Sequence, residues 1–435
     1  MQVRMGLVMI LLMVNHVLWS QEQLSLQQTI DLGLQNNYGI RIARYQLEMT
    51  ENLIHPGMAG MLPSVQLEGS YGKSSSNTKQ EFITGNLVDK KNANSNQLSG
   101  AILLNWKLFN GLGMFATLDK MKYLNAMEQH TLKMSIQQLI VDLSNQFALI
   151  SRDQQQIHFD EQLVASADSQ LTILKKSFAI GLGRKSDVLL AEIELRRMQK
   201  QLMQNKYNLN QLKYRLNELL GRHHQTFFEL TENDPIFSIP DSIFNPSQLF
   251  LHNLELQFLV TEQKKLNAEL DELRSGAYPE LSLNVNYTFN KNESQAGFLL
   301  YNQNHGWNAN LGLQWNLYNG SQLNTQITNA KINLLKSKLA LENSKLNQER
   351  EGKQAFDLYS MNKTFFQMEL NNSLLAKEHY ELILNNYLSG ESLYIEVKEA
   401  RNIYEVSLRN MLEHQYQMNV SAIQYLQISG NLVKS

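Results

Sequence analysis

The chain of 435 residues contains no cysteine. This absence excludes disulfide bonds, zinc sites built on thiolates and a cysteine nucleophile. It also excludes a lipid anchor attached through an N-terminal cysteine. Thiol chemistry is therefore excluded from any function of this protein.

The sequence also has little net charge and lacks common catalytic motifs. The formal net charge is −2, so the composition gives no electrostatic basis for binding nucleic acid. The sequence has no His-Glu-x-x-His motif, phosphate-binding loop or Gly-x-Ser-x-Gly motif. The pair His223-His224 has no ligand-spaced partner and is interpreted as a solvated turn, and the methionines on helical seams as core filler. We expect no enzymatic activity, no cofactor and no metal.

Proline is rare and unevenly placed. The six prolines are Pro56, Pro63, Pro235, Pro240, Pro246 and Pro279. Long proline-free stretches permit long helices, because an interior proline breaks a helix. The three prolines from 235 to 246 indicate a short linker between two halves of the chain.

Long apolar runs are missing beyond the N-terminus. Arg4, the apolar stretch from Met5 to Val14 and Ser20 are typical of a secretory signal with a cleavage point, and we predict a signal peptide over residues 1–20. The alternative is an N-terminal membrane anchor, but a spanning helix needs about 20 apolar residues. No other segment is apolar enough for a transmembrane helix, so strands would have to make any membrane contact.

The sequence repeats itself at long range. Trp106-Lys107-Leu108-Phe109-Asn110-Gly111 returns as Trp315-Asn316-Leu317-Tyr318-Asn319-Gly320, an offset of 209 residues. The offset then persists for over a hundred residues, to Gly221 and Gly430. A constant offset over such a distance predicts two halves with elements of equal length.

Each half contains two segments with strict alternation of apolar and polar residues, which is the signature of strands. In the first half they follow Pro63 and lead up to Leu108, and in the second they follow Pro279 and lead up to Leu317. Each strand is about ten residues long, enough for a tilted strand to cross a bilayer. The polar connections Lys73 to Gln97 and Lys291 to Gly306 are predicted to be surface loops. A half-exposed sheet in a soluble protein would also alternate, and four strands alone leave exposed edges.

The remaining segments have helical spacing. We predict a first helix from Leu26 to about Met58, capped by Ser25, and its counterpart from about Pro246 to Ser275. A much longer helix runs from Leu112 to about Lys176, with leucines three and four apart as in coiled-coil packing. The chain turns back near Gly181 and again near Gly390, so two long helical hairpins are expected.

This ordered set of motifs resembles the TolC family of outer membrane exit ducts. The motifs that carry the resemblance are the opening stretch from Leu24 to Asn37, the helix-to-strand crossings Met61-Leu62-Pro63-Ser64-Val65 and Ala277-Tyr278-Pro279-Glu280-Leu281, the tips Phe178-Ala179-Ile180-Gly181-Leu182 and Tyr387-Leu388-Ser389-Gly390, and the segments Asp187–Ala191 and Glu396–Ala400. No single motif is specific, but their order, repeated twice, covers nearly the whole mature chain.

The resemblance implies a mixed α and β membrane protein that forms a homotrimer. Each protomer would give four transmembrane strands to a shared twelve-stranded β-barrel in outer membrane lipid, and the long antiparallel helices would form a coiled-coil barrel across the periplasm. The partners implied are a periplasmic adaptor protein and an inner-membrane pump. The chain would divide into a signal peptide (1–20), a first repeat (21–221), a linker (222–246) and a second repeat (247–435).

The resemblance also suggests the residues that carry function. Glu396 and Glu399 match acidic positions that ring the periplasmic entrance, and Asp187 matches a closing network found in some members. Those members have an arginine where Ser392 stands, so Lys398 is the candidate substitute partner here. The hairpin tips Gly181, Leu182 and Gly390 would contact the adaptor, and Pro63 and Pro279 would mark the helix–strand crossings. The alternative is that Glu396 and Glu399 are ordinary surface residues of the helix.

The sequence leaves two other functions open. The duct could serve secreted proteins in a type I secretion system instead of small toxic molecules. In a different class, the chain could be an exported coiled-coil scaffold whose sheets mediate assembly. Three tryptophans near strand ends, Trp106, Trp307 and Trp315, could form an aromatic girdle or pack against helices.

Overall fold

The computed structural model describes residues 22–231, 237, 239, 252–297 and 299–432. The predicted signal peptide lies outside these residues, and so does most of the linker. The described residues fall into two compact units, each built from segments of both halves. A helical unit takes its residues from Met1–Arg44, Leu132–Leu254 and Ser344–Ser435, and a strand unit from Tyr45–Thr131 and Glu255–Asn343.

The helices and strands follow the predicted order. In chain order they are β1 (Glu22–Leu24), α1 (Leu26–Asn36), α2 (Tyr38–Leu53), β2 (Ser64–Glu81), β3 (Leu87–Asn110), α3 (Gly113–Ala179), α4 (Lys185–Leu219), β4 (Phe228–Leu230), α5 (Leu254–Ser275), β5 (Glu280–Ser294), β6 (Tyr301–Gln314), α6 (Gln322–Leu388) and α7 (Tyr394–Ile428). Ser25 caps α1 as predicted, in a capping box with Gln28.

The four long helices have the same lengths in both repeats. Helices α3 and α6 each have 67 residues, and α4 and α7 each have 35. Every boundary in the second set is the first-set boundary plus the 209-residue offset. Outgoing and return helices pack through the predicted leucine seams, for example Leu139, Leu143 and Ile150 of α3 against Leu216 of α4.

The prediction of one helix from Leu26 to about Met58 is wrong, because Asn37 interrupts it. Asn37 has a non-helical backbone, and its side-chain Nδ2 donates to the carbonyl of Leu219 at 2.8 Å. Its Oδ1 accepts from the backbone N–H of Ile40 at 3.2 Å and so caps α2. The break therefore joins the end of α4 to the start of α2.

The second half makes the same junction. Asn253 donates from Nδ2 to the carbonyl of Ile428 at 3.1 Å, just as Asn37 does to Leu219. Gly221 and Gly430 follow α4 and α7 with positive φ angles of 66° and 69°. These two junctions, Asn37–Leu219–Gly221 and Asn253–Ile428–Gly430, are called the end locks below.

The strand unit contains one antiparallel sheet in the order β2-β3-β5-β6. Its strands have 18, 24, 15 and 14 residues, so the prediction of about ten residues each is wrong. Most of the two predicted surface loops is strand, and the described residues outside the strands are 82–86, 295–297 and 299–300. Polar sequence suggested loops, but the ladder continues because backbone hydrogen bonds form irrespective of side-chain polarity.

The β2–β3 hairpin extends beyond the rest of the sheet. Strand β3 pairs with β5 only as far as Ser95, whereas it pairs with β2 on to Leu87. Residues 75–94 therefore form a two-stranded extension, called the ribbon below. It contains a bulge at Asn92, whose φ is 53° and whose N–H donates to Asn77 Oδ1 at 2.8 Å.

Candidate functional site

The register of the sheet aligns apolar side chains of all four strands on one face. Successive rows across β2, β3, β5 and β6 are Leu67–Ile102–Tyr287–Trp307, Val65–Leu104–Val285–Ala309 and, on three strands, Trp106–Leu283–Leu311. Many of these side chains are exposed. A continuous apolar band exposed on a sheet is what a lipid-facing surface requires.

The opposite face is polar over the same length. Its rows include Ser64–Asn105–Asn284–Asn310, Gln66–Leu103–Asn286–Asn308 and Ser70–Ser99–Asn290–Asn304. Amide and hydroxyl groups without an apolar covering suit a wet surface. The sheet thus has one apolar face and one polar face, as a boundary between an apolar and an aqueous environment requires.

Both helix-to-strand crossings have the same local structure. Pro63 and Pro279 directly precede β2 and β5. Next to each, a tryptophan indole N–H donates to a backbone carbonyl: Trp106 to Met61 at 2.9 Å, and Trp315 to Ala277 at 3.1 Å. These two tryptophans tie the chain segment before the proline to the strand that ends beside it.

The hairpin tips are tight and carry exposed apolar side chains. Gly181 and Gly390 have φ angles of 80° and 83°, which end the outgoing helices α3 and α6. Leu182, next to the first tip glycine, is 83% exposed, and Ile180 is also exposed. Apolar side chains at a turn with no covering are typical of a contact surface for another molecule.

Glu396 and Glu399 lie together near the start of α7. Both are exposed and line a shallow cavity of about 290 Å³ with Ile383, Ile395 and Ile403. Glu396 also has a structural role, since its Oε2 accepts from the backbone N–H of Leu393 at 2.8 Å and caps the helix. Glu399 makes no ion pair among the described residues.

Asp187 occupies the equivalent place at the start of α4. Burial raises the pKa of the Tyr387 hydroxyl, and the nearby Asp187 carboxylate raises it further. Lys398, considered as a partner for this network, instead pairs with Glu194 at 3.7 Å. Ser392 and Lys398 therefore do not reproduce the arginine contact of the family pattern.

A buried polar cluster near the tips escaped the sequence reasoning. Arg401 of α7 is 0% exposed, and its Nη1 donates to Gln170 Oε1 of α3 at 3.2 Å. Gln170 in turn donates to the Tyr380 hydroxyl at 2.9 Å. Within the described residues, Arg401 Nε and Nη2 have no hydrogen-bond acceptor. The sequence signal that could have indicated the burial of Arg401 is its spacing from Val397 and Leu408, which puts the arginine on an apolar seam.

Two features are absent from the described residues, a metal-binding cluster and a membrane-spanning helix. No group of three or more histidine, cysteine, aspartate or glutamate side chains there could hold a metal ion. No helix in that part of the chain is both long and apolar enough to cross a bilayer. The pair His223-His224 stacks with ring centroids 4.3 Å apart in an exposed turn.

Comparison with protein families gives one match that covers most of the chain. The model described as "Outer membrane efflux protein" matches residues 29–222 and 245–431. The two matched ranges contain both hairpins, the sheet and the end locks. A search of curated proteins found no significant match.

Solved structures of similar fold include outer membrane channels and outer membrane proteins. The outer-membrane channel OprN has a TM-score of 0.78 at 15% identity, covering 93% of this chain and 90% of its own. The outer membrane protein VceC of Vibrio cholerae has a TM-score of 0.74 at 14% identity, covering 93% and 96%. The CmeC outer membrane channel of Campylobacter jejuni has a TM-score of 0.77 at 15% identity, covering 94% and 86%.

Proposed function

Since this chain belongs to the outer membrane efflux protein family, we propose that it is the outer membrane duct of a tripartite efflux system. Three copies would each give four strands to one twelve-stranded barrel, continued by the long helices as a periplasmic tunnel. A periplasmic adaptor would bind the tips at Gly181, Leu182 and Gly390, and an inner-membrane pump would supply the energy. The observation that carries the proposal is the two-faced register of the sheet.

The internal repeat supports closure of the sheet by further copies. Each repeat, 21–221 or 247–435, would form one sixth of the ring, and strands β2 and β6 are the edges of the sheet in one chain. The junction between β3 and β5 joins the first repeat to the second within the chain. An equivalent junction from β6 to β2 can only be made with the next copy.

The end of β6 has the features of a strand without its partner. Trp106–Asn110 is strand because it pairs with β5, but the matching Trp315–Asn319 lies beyond the end of β6. Leu108 and Phe109 are 38% and 37% exposed, whereas their counterparts Leu317 and Tyr318 are both 79% exposed. Pairing with a neighbouring copy would cover these side chains as β5 covers the first set.

A pair of matched glycines supports the same junction. Gly111 and Gly320 have nearly equal φ angles of 65° and 67°. A Cβ at Gly111 would lie 2.5 Å from the carbonyl oxygen of Ser275, whereas one at Gly320 would meet nothing within 4 Å. In a ring of equivalent junctions, the corresponding segment of the next copy would pack against Gly320.

The repeat also predicts the register between copies. Strand β3 maps onto β6 by the 209-residue offset, and β5 maps onto β2 by the 216 residues that separate Pro63 from Pro279. Ser99 of β3 thus corresponds to Asn308 of β6, and Asn290 of β5 corresponds to Ser74 of β2. Because Ser99 pairs with Asn290, we expect Asn308 to pair with Ser74 of the neighbouring copy. Facing residues of paired strands have Cβ atoms about 4.5–5.5 Å apart, so a cysteine pair there can be bridged.

Disulfide cross-linking tests this register, because the native chain has no cysteine. In the Ser74→Cys/Asn308→Cys variant, oxidation in outer membranes should link copies into a covalent trimer on a non-reducing gel. Within one sheet the two positions are three strands apart, which alone is about 14 Å. Their rows also lie eight residues apart along the strands, so a bond inside one chain is excluded.

The matched control is Ser76→Cys/Asn308→Cys, which tests a slip of two residues, about 7 Å along the strand. We expect little cross-linking in this variant. Equal cross-linking of both pairs would show that the register is wrong. A membrane-inserted protein that gives no linked species with either pair would contradict closure through β2 and β6.

We further propose that Glu396, Glu399 and Asp187 surround the periplasmic entrance. In a trimer, the exposed Glu396 and Glu399 would each form a ring of three carboxylates, which attracts cations. The cap that Glu396 makes to Leu393 means that replacement by alanine would also weaken the helix start. Glutamine removes the charge and keeps an acceptor for the cap.

The entrance is tested by cation block of single-channel current. In Glu396→Gln/Glu399→Gln we expect block by a multivalent cation added on the tip side to weaken at least about tenfold, since two carboxylate rings are lost. Glu378→Gln, an exposed change on α6, is the control and should be blocked like the parent. Unchanged block in the double variant would remove these residues from the entrance.

A further inference from the structure

The polar face of the sheet carries very little charge. Its cross-strand partners include four asparagine pairs between β5 and β6: Asn284↔Asn310, Asn286↔Asn308, Asn290↔Asn304 and Asn292↔Asn302. At the end of the sheet near Pro279, Lys107 and Glu280 form an ion pair of 3.0 Å. On the ribbon, Lys90 Nζ donates to the carbonyl of Gln295 at 2.7 Å.

Between those two levels, Glu68 is the one charged residue on this face of the described sheet. Its row is Glu68–Ala101–Thr288–Gly306, so its neighbours are small. Glu68 is exposed and makes no ion pair among the described residues. Its carboxylate is therefore the longest side chain of its row, and no cation on the same sheet compensates it.

We infer that Glu68 sets the charge selectivity of the strand-lined part of the duct. This rests on the proposed function, in which the polar face lines a lumen shared by three copies. Three Glu68 carboxylates would then form a ring in a lumen of neutral amides and hydroxyls. Such a ring favours cations over anions, and the amides accept uncharged polar solutes. The preferred cargo is thus cationic or neutral and polar.

The effect should depend strongly on salt. Exposed charges are screened beyond about 10 Å at 0.1 M ionic strength, and a twelve-stranded lumen keeps a passing ion near that distance from its wall. We therefore expect a cation-to-anion permeability ratio that rises as salt is diluted. Glu68 differs in this from Glu396 and Glu399, which lie in the helical unit and carry the proposed entrance.

Reversal potentials of the purified full-length protein in planar lipid bilayers test the inference. Under a tenfold KCl gradient with at most about 0.1 M salt, the parent should prefer K⁺ to Cl⁻. Glu68→Gln should lower the permeability ratio at least about twofold, and Glu68→Lys should reverse the preference. Lys73→Gln, on the same strand but on the opposite face, is the control and should keep the parent ratio.

The possible outcomes distinguish a failure of the role of Glu68 from a failure of the proposed duct. Pores whose reversal potential is the same in the parent, Glu68→Gln and Glu68→Lys would overturn the role of Glu68 and leave the duct intact. A shift of equal size in Lys73→Gln would overturn the assignment of the two faces. A parent protein that forms no pores at all would contradict the proposed duct itself.

Discussion

Gly221→Ala is expected to destabilise the helical unit by about 3–5 kcal/mol, enough to unfold it or expose it to proteolysis. The added Cβ would lie 2.5 Å from the carbonyl oxygen of Asn36 and 2.9 Å from its carbonyl carbon. Both are backbone atoms at the break between α1 and α2, and they cannot rotate away. The positive φ of 66° adds strain for any residue with a side chain.

Gly181→Ala provides the matched control. Gly181 also ends a long helix with a positive φ, but a Cβ there would meet nothing within 4 Å. Only the cost of the left-handed backbone applies, about 1–2 kcal/mol. The repeat supplies a second pair, because a Cβ at Gly430 would collide with the carbonyl of His252 whereas Gly390 is open.

Thermal unfolding of the four variants, followed by circular dichroism in detergent, measures the difference. The expected order has Gly221→Ala and Gly430→Ala far below Gly181→Ala and Gly390→Ala. If all four lost the same stability, the end locks would have no role beyond ordinary helix termination.

Arg401→Met is expected to stabilise the helical unit by about 1–3 kcal/mol, because a buried charge without a counter-ion is costly. The guanidinium is fully buried, its Nη1 donates to Gln170 Oε1, and its other close polar neighbour is the neutral Tyr394 hydroxyl. Methionine fills most of the same volume without a charge to desolvate. Arg401→Ala should instead lose stability, since it leaves a cavity among the helices.

The control for Arg401 is Arg196→Met on the surface of α4. Its side chain is 75% exposed and paired with Glu192 at 2.7 Å, so the change should alter stability by less than about 1 kcal/mol. Unfolding by urea with the same detergent gives the comparison. A loss of stability in Arg401→Met as large as in Arg401→Ala would show that the guanidinium is needed where it lies.

The periodic parts of the fold could be predicted from the sequence. The 209-residue offset fixed equal lengths for both hairpins, because leucine spacing and proline placement are local signals that repeat together. The cap at Ser25 was also predictable because it is a local feature, with its partner Gln28 only three residues away. The alternation around Leu67 and Leu283 likewise predicted which side chains share a face of the sheet.

Features that depend on distant partners could not be predicted. Asn37 breaks a helix because of Leu219, which is 182 residues away in the chain. The ends of β3 and β6 differ although Trp106–Asn110 and Trp315–Asn319 are nearly the same sequence, since only the former has a facing strand in the chain. Arg401 was missed because nothing local marks an arginine on an apolar seam as buried.

The ribbon is the place where the two halves have diverged in length. From the crossing proline to the asparagine before the long helix, the second hairpin is seven residues shorter, because the offset falls from 216 at Pro279 to 209 at Asn319. The long helices kept their lengths of 67 and 35 residues. A hairpin turn with no element beyond it can gain or lose residues without moving anything else. The turn from Phe82 to Asn86 is thus the permissive position for a peptide tag that leaves the rest of the fold in register.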